Sequence, residues 1–342
     1  MTTILLVGAG AVGRRAVRQL AETQGVDRIL LTDAVHGRAA AVADQIGAVA
    51  EAVEWDVSDA LPPDLAAVAV AIDGPGERAI AERAVEAGVP MAGCSDDPGG
   101  VRSLLDLDDA AREAGITLAA GCGLAPGLSD VLARHAADGL EQVEEIHVAR
   151  AGFAGPSCAS ALHRAGRGAA LEWRDGTWVR ERAGSGRQLV WFPGPVGGLD
   201  CRRADSAQAA LLLDAFPRVS RATMRVSTGR REPASLPGVR PPTFARARAR
   251  RRADPDGDWG AVWVEVRGRR GRSQEVLIYG AVDRMAFAAG AVLAQTAAWL
   301  AGLGPSAAGR SGTHGLGALV DPVPFLAELA RRGVKAAAFE GA

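Results

Sequence analysis

The 342-residue chain is 48% hydrophobic and 23% charged, with a formal net charge of −1. That balance describes a globular protein long enough for two domains with cores of their own, and it lacks the basic or acidic excess that a nucleic-acid partner would call for. No apolar run reaches about 18 residues and the first strand begins without a signal-like h-region, so no membrane partner and a cytoplasmic location are expected.

The chain opens on ILLVGAGAVGRRAV, residues 4–17, in which an apolar strand, Ile4 to Val7, runs into Gly8, Gly10 and Gly13. Val12, Ala16, Val17 and Leu20 then follow at helical spacing. Gly8 allows the tight turn, Gly10 lets the backbone approach a pyrophosphate, and Gly13 lets the helix pack on the strand; the helix N-terminus, with Ala11 and Val12, faces the anion. A second strand, Arg28 to Thr32, ends in Asp33, twenty residues beyond Gly13, where a carboxylate accepts hydrogen bonds from the ribose hydroxyls. That carboxylate repels a 2′-phosphate, and Ala34 and Val35 offer no cation, so the cofactor is read as NAD, with NADP the poorer fit; Arg14 and Arg38 are the arginines that could temper this.

Strand and helix go on alternating as in a parallel, doubly wound sheet. Expected are a helix over 39–46, a strand over 53–57, a strand over 67–72, a helix over 77–86, a strand over 89–94, a helix over 104–113 and a strand over 116–122. Asp56 and Val57, ending the third strand, are placed against an adenine, although Asp56 also fits a turn or helix cap. Asp73, Gly74 and Pro75 end the fourth strand beside the pyrophosphate crevice, because ligands in such sheets lie outside the carboxyl ends of the strands.

Cys94, Cys122, Cys158 and Cys201 show neither paired spacing nor neighbouring histidines, so no metal site or disulfide framework is indicated. Lys335 is the only lysine and Tyr279 the only tyrosine, which removes a Tyr-x-x-x-Lys centre and a P-loop lysine and argues against a Schiff-base lysine. From Glu144 onward IHVARAGF, LEWRDGTWV, QLVWF, AVWVEV and EVLIYGAV read as strands joined by the turns RDG, DPDGDW and GRRGRS, a mostly antiparallel sheet for substrate binding and dimerisation. The basic run FARARARRR, residues 244–252, is read as a solvated strand face or loop and not as a nucleic-acid patch. Helices over 285–303 and 324–332 close the chain.

AGCGLAPGLSDVLARH, residues 120–135, resembles the segment that closes the dinucleotide domain in the saccharopine dehydrogenase-like family, in particular its lysine 6-dehydrogenases. RMAFAAGAVLAQTAAWLAGLG and DPVPFLAELARRGV resemble that family's closing helices. The physics agrees, since Pro126 suits a first helical turn and Gly127 keeps the entrance near a nicotinamide open. The resemblance implies an α/β protein: a Rossmann-type doubly wound parallel sheet formed by 1–140 and 285–342, with an inserted α+β domain, 141–284, for substrate and dimerisation. It also implies hydride transfer between a nicotinamide and a carbon bearing nitrogen in an amino-acid-like small molecule. The chain departs from the family at Gly93, where an acidic residue is expected at the end of the fifth strand, and at Ala288 or Ala289, where a threonine is expected. These departures argue against lysine itself as substrate.

The cofactor carries the hydride step, so the protein must supply position, a proton acceptor and charge. Candidates are Asp96 or Asp97 as ammonium holder or base, Cys94 as proton shuttle, His163 as acid or base, and Arg284 as a bidentate carboxylate clamp. Each also has a structural reading, as helix cap, buried apolar residue, surface histidine or ion pair. Two alternatives to an oxidoreductase of an amino acid or its imine remain: an enzyme that keeps its NAD and recycles it internally, such as a lyase, epimerase or cyclodeaminase, and a non-catalytic NAD-binding protein.

Overall fold

The computed structural model describes residues 1–74, 76–227, 259–304 and 310–339. Pro75, the run FARARARRR and most of the turn DPDGDW lie outside the described residues. The first half builds β1 (Thr3–Val7), α1 (Gly13–Ala21), β2 (Arg28–Thr32), α2 (Arg38–Ile46), β3 (Ala50–Ala52), β4 (Leu65–Val70), α3 (Gly76–Ala87) and β5 (Met91–Gly93). It continues through α4 (Pro98–Leu105), α5 (Asp108–Glu113), β6 (Thr117–Ala120) and α6 (Leu128–Ala137). Two expected elements change. The strand foreseen over 53–57 stops at Ala52: Val53 adds one more bond, to the Leu31 carbonyl at 2.9 Å, and the Asp56 side chain then accepts from the Ser58 amide and hydroxyl, closing an Asx turn. The single helix foreseen over 104–113 is two, α4 and α5.

These strands form a parallel sheet in the order β15-β6-β5-β4-β1-β2-β3, where β15 (Gly312–Gly315) joins the β6 edge from far along the chain. The order reverses between β1 and β4, and it is at such a switch point that a crevice opens above the carboxyl ends of the strands. One face is covered by α1 and by α9 (Met285–Leu300), a helix buried at every residue except Phe287, which is why its sequence is apolar all round. α9 and α1 meet closely at Gly290, where a Cβ would stand 2.6 Å from the Arg15 Cβ. No described helix is long and apolar enough to cross a membrane.

The middle of the chain supplies β7 (Gln142–Ala151), α7 (Pro156–Ala165), the hairpin β8 (Ala169–Arg174) and β9 (Thr177–Arg182), β10 (Gln188–Trp191), β11 (Gly198–Arg203), α8 (Gln208–Ala215), β12 (Arg221–Ser227), β13 (Trp259–Arg270) and β14 (Ser273–Arg284). After β15 come α10 (Leu316–Leu319), α11 (Pro322–Arg331) and β16 (Ala336–Phe339), and β16 pairs with β14. The second sheet runs β10-β11-β12-β7-β13-β14-β16, antiparallel except for the β7–β12 pair. Residues alternate faces along each strand. Ile146 and Val148 of β7, with Met224 and Val264 beside Val148, face the core that the sheet shares with α6 and α9, whereas His147, flanked by Thr223 and Glu265, faces outward.

Candidate active site

A cavity of about 780 Å³ lies at the switch point. That volume is within the range of cofactor and small-molecule sites. Gly8, Gly10, Ala11 and Val12 form its floor, and Gly13 lies behind them. Gly8 has φ +99°, open to glycine, and a Cβ on Gly13 would stand 1.7 Å from the Gly8 carbonyl oxygen, so that position admits no side chain. A Cβ on Gly10 would meet nothing within 4 Å and would point into open space. α1 begins with no side-chain cap, and its Arg14 and Arg15 amides bond the Gly10 and Val12 carbonyls at 3.0 and 2.9 Å, so an anion would meet the amides of the turn ahead of them. The chain therefore fits a dinucleotide pyrophosphate.

Asp33 lines the wall beyond the turn. Its carboxylate accepts from the Ala9 and Val35 amides, each at 2.7 Å, and Arg38 approaches it at 3.3 Å. Two amides and a guanidinium hold the carboxyl in place while leaving it acceptor capacity, since a carboxylate offers about four lone-pair positions. Arg38 lines the same wall; Arg14 does not. Asp56 and Val57 line the cavity beyond Asp33 together with Trp55, which the sequence reading missed. Asp56 is a turn residue, and the Ser58 contacts that make it one also hold its carboxyl below the usual range.

At the other end the cavity reaches Asp73, Cys94, Ser95, Asp96, Pro126 and Arg150. Arg150 of β7 stands on the inward face of the sheet between Val226 and Val262 and is 6% exposed. Its Nη1 donates to Asp96 Oδ2 at 2.6 Å and to the Ala125 carbonyl at 2.7 Å, while its Nε is buried without a hydrogen-bond partner. Burial works against the charge, but the Asp96 carboxylate more than offsets it and holds the guanidinium above its ordinary value. Asp73 accepts from the Ser95 hydroxyl at 3.3 Å and pairs with Arg164 of α7 at 3.3 Å. Burial first, then the neighbouring Asp96, push its carboxyl up. α7 roofs this end, and its leading Gly155 sits so close to the glycine turn that a Cβ there would be 2.9 Å from the Ala11 Cβ.

The structure does not gather every residue the sequence pointed to. Asp97 is turned away and caps α4, accepting from the Gly100 amide at 2.7 Å, which leaves Asp96 alone to face the cavity. His163 is exposed on α7 and outside the lining, because one helical step of about 100° separates it from Arg164, which is in it. Arg284 precedes α9 with its guanidinium over the Trp259 ring, 4.9 Å from the centroid, and does not line the cavity. Gly74 lies behind the wall at φ +98°. Pro126 lines the cavity but stands in the turn ahead of α6, after a cis Ala125–Pro126 bond, and not in the first helical turn. Gly127 holds that turn tight instead of opening an entrance: at φ +121°, its Cβ would be 2.3 Å from the Gly123 carbonyl oxygen. Cys94 is in place, but burial and then Glu77 push its thiol well above the usual range, so it stays protonated near neutral pH and offers no base.

Gly93 has a counterpart in space. A Cβ there would lie 1.8 Å from Glu77 Oε1, so the carboxyl of Glu77, in the first turn of α3, fills the space beside Gly93. Glu77 is fully buried, its oxygens lack hydrogen-bond partners of normal geometry, and burial, opposed only in part by the Ser95 amide, pushes it up to about 8. Between its ordinary value of 4.5 and about 8 the folded chain keeps a proton that the unfolded chain has released, so this group's contribution to stability is lost as pH rises through that window. The loss is on the order of 5 kcal/mol. Asp130, buried behind α8 and pushed up to about 7, adds a slope of the same sign at lower pH. Glu77→Gln is therefore expected to flatten the fall in stability between about pH 5 and pH 8 and to be the more stable protein at pH 8, as read from urea unfolding at stepped pH.

No family model matches the chain. Its fold is similar to that of apo saccharopine dehydrogenase (L-Glu forming) from Saccharomyces cerevisiae, with a TM-score of 0.69 at 15% identity over 99% of this chain and 100% of that one. It is also similar to an amine dehydrogenase from Mycobacterium smegmatis (TM-score 0.54, 10% identity, 94% and 98% covered). A third similar structure is C. glutamicum DAP dehydrogenase in complex with DAP (TM-score 0.51, 15% identity, 97% and 98% covered). The chain thus has the saccharopine dehydrogenase-like α/β fold, a Rossmann-like parallel sheet with a second, mostly antiparallel one, as the resemblance of its motifs implied.

Proposed function

We propose that the protein is an NAD-dependent oxidoreductase that transfers a hydride between the nicotinamide and a nitrogen-bearing carbon of an amino acid or its imine. The observation that carries this reading is the Arg150–Asp96 pair in the same cavity as the glycine cradle: a buried fork with an unpartnered Nε suits a substrate carboxylate, and the neighbouring carboxylates suit an ammonium. The names of the three similar structures, saccharopine, amine and DAP dehydrogenase, agree with such a substrate. NAD supplies the hydride acceptor. Asp73, raised by burial and by Asp96, takes the proton that leaves the amine, and water adding to the imine releases a carbonyl compound and ammonia. Exposed Leu189 and Trp191 on the edge strand β10 support a homodimer as part of the same reading.

The test is a panel of amino acids, amines and oxo-acids with amines, followed by the absorbance of reduced nicotinamide; no formation or consumption with any of them sinks the proposal. Asp73→Asn is expected to lower kcat by roughly 10²- to 10⁴-fold, the range of a lost general base, with the dissociation constant for NADH unchanged. Asp33→Ala is expected to weaken NADH at least tenfold, as loss of hydrogen bonds to a charged acceptor implies. The same variant should narrow the gap to NADPH by freeing Arg38, both effects read by quenching of tryptophan fluorescence.

A further inference from the structure

The outward face of the second sheet carries another cavity, of about 210 Å³, that shares no lining residue with the first. Five guanidiniums line it, Arg174, Arg203, Arg221, Arg225 and Arg267, against two carboxylates, Glu172 and Glu265. Glu172 is buried and already held by three of the arginines: Arg174, Arg203 at 2.9 Å and Arg225 at 3.3 Å. Arg174 also reaches Glu181 at 3.1 Å and Arg225 donates to Gln188 Oε1 at 2.8 Å, but one carboxylate offers about four lone-pair positions and three guanidiniums bring about fifteen N–H donors, so the cluster still holds more donor capacity than these acceptors absorb. Arg174 Nε is buried with no hydrogen-bond partner. Burial first, with smaller pushes from the cations of Arg203 and Arg174, holds Arg225 below its ordinary value against the pull of Glu172. On the rim, the acids nearest Arg267 are Glu265 and Glu145, and Arg221 reaches Glu145 only at 4.0 Å.

We propose that this cavity binds a small oxyanion carrying two negative charges, a phosphate or a short dicarboxylate. Arginine forks match the paired oxygens of either. The volume equals that of about seven liquid waters, at roughly 30 Å³ each, which admits such an ion and is too small for a nucleotide. The site lies across β7 from the first cavity, since His147 faces it while Arg150, three residues on, faces the other side.

The experiment is a calorimetric titration of the NADH-saturated protein with inorganic phosphate and, separately, with malonate, at ionic strength held constant with chloride. Saturable binding of one ion per chain is expected. Binding of phosphate alone would assign phosphorylated or free-phosphate ligands, and binding of malonate alone a dicarboxylate. Arg221→Gln is expected to weaken binding at least tenfold without loss of fold, because its side chain is 42% exposed and its acid partner distant. Arg225→Gln is expected to abolish binding, and if it does not fold, Arg221→Gln carries the test alone. Saturable binding of neither ion, unchanged affinity in Arg221→Gln, or phosphate binding seen only without NADH would each overturn the proposal.

Discussion

Gly13→Ala is expected to abolish NADH binding and to lower stability by about 3 kcal/mol or more, at the upper end of overpacking costs. The added carbon would stand 1.7 Å from the Gly8 carbonyl oxygen, 2.9 Å from the Gly8 carbonyl carbon and 3.3 Å from the Ala71 Cβ. Two of those neighbours are backbone, and α1 has no room to retreat because α9 is packed against it at Gly290. The glycine turn itself must deform, and the cradle goes with it. Gly10→Ala makes the contrast: its Cβ meets nothing, so melting should be unchanged, while the methyl projects where a pyrophosphate would approach and NADH should weaken markedly. Thermal melting and an NADH titration on both variants check this. Normal NADH binding by Gly13→Ala would contradict the assignment of the turn.

Arg150→Met is expected to reduce kcat/KM for amino acids by about 10³-fold, the order of 4 kcal/mol, with NADH affinity little changed. It leaves the Ala125 carbonyl without that donor and the Asp96 carboxylate facing the cavity uncompensated. Breaking one side of a buried pair costs about 3–5 kcal/mol, and because the Asp96 side chain is 23% exposed the stability loss here should be nearer 2 kcal/mol. Arg150→Lys should regain part of the stability but little of the rate, since an ammonium cannot serve two acceptors and a carboxylate in one plane. Simple amines, which lack a carboxylate, should lose far less than amino acids. Equal losses for both would remove the clamp from the mechanism.

The end of the cavity at the glycine turn was legible because its geometry is local. Gly8, Gly10 and Gly13 lie within six residues, and Asp33 ends the very next strand, so spacing alone placed them. The other end is assembled from residues on or just after β4, β5, β7 and α7, and there spacing helps only in part. Pro98 follows Asp97 directly, the arrangement of an N-cap before a first-turn proline, and this could have separated Asp97 from Asp96. Arg150 shares the period-two face of Ile146 and Val148, an arginine on an apolar face, and that signal was also present. His163 and Arg164 could not be told apart, because α7 buries little besides Leu162 and its sequence sets no phase. Nor could β15: GTHG has no strand signal of its own and is extended because the β6 edge pairs with it. Glu77 filling the place of a side chain at Gly93 joins two elements through space, and nothing in either stretch announces the other.

The interleaving of the chain bears on how the protein comes to be made. When residue 140 leaves the ribosome, the parallel sheet has neither β15 on its β6 edge nor α9 over β4 and β5; α9 must wait for about 145 further residues and β15 for about 170. An open, apolar strand edge invites wrong partners for all that time. Completion of the glycine-turn end of the cavity is thus coupled to arrival of the tail, and an error in the middle of the chain would be felt at its first turn.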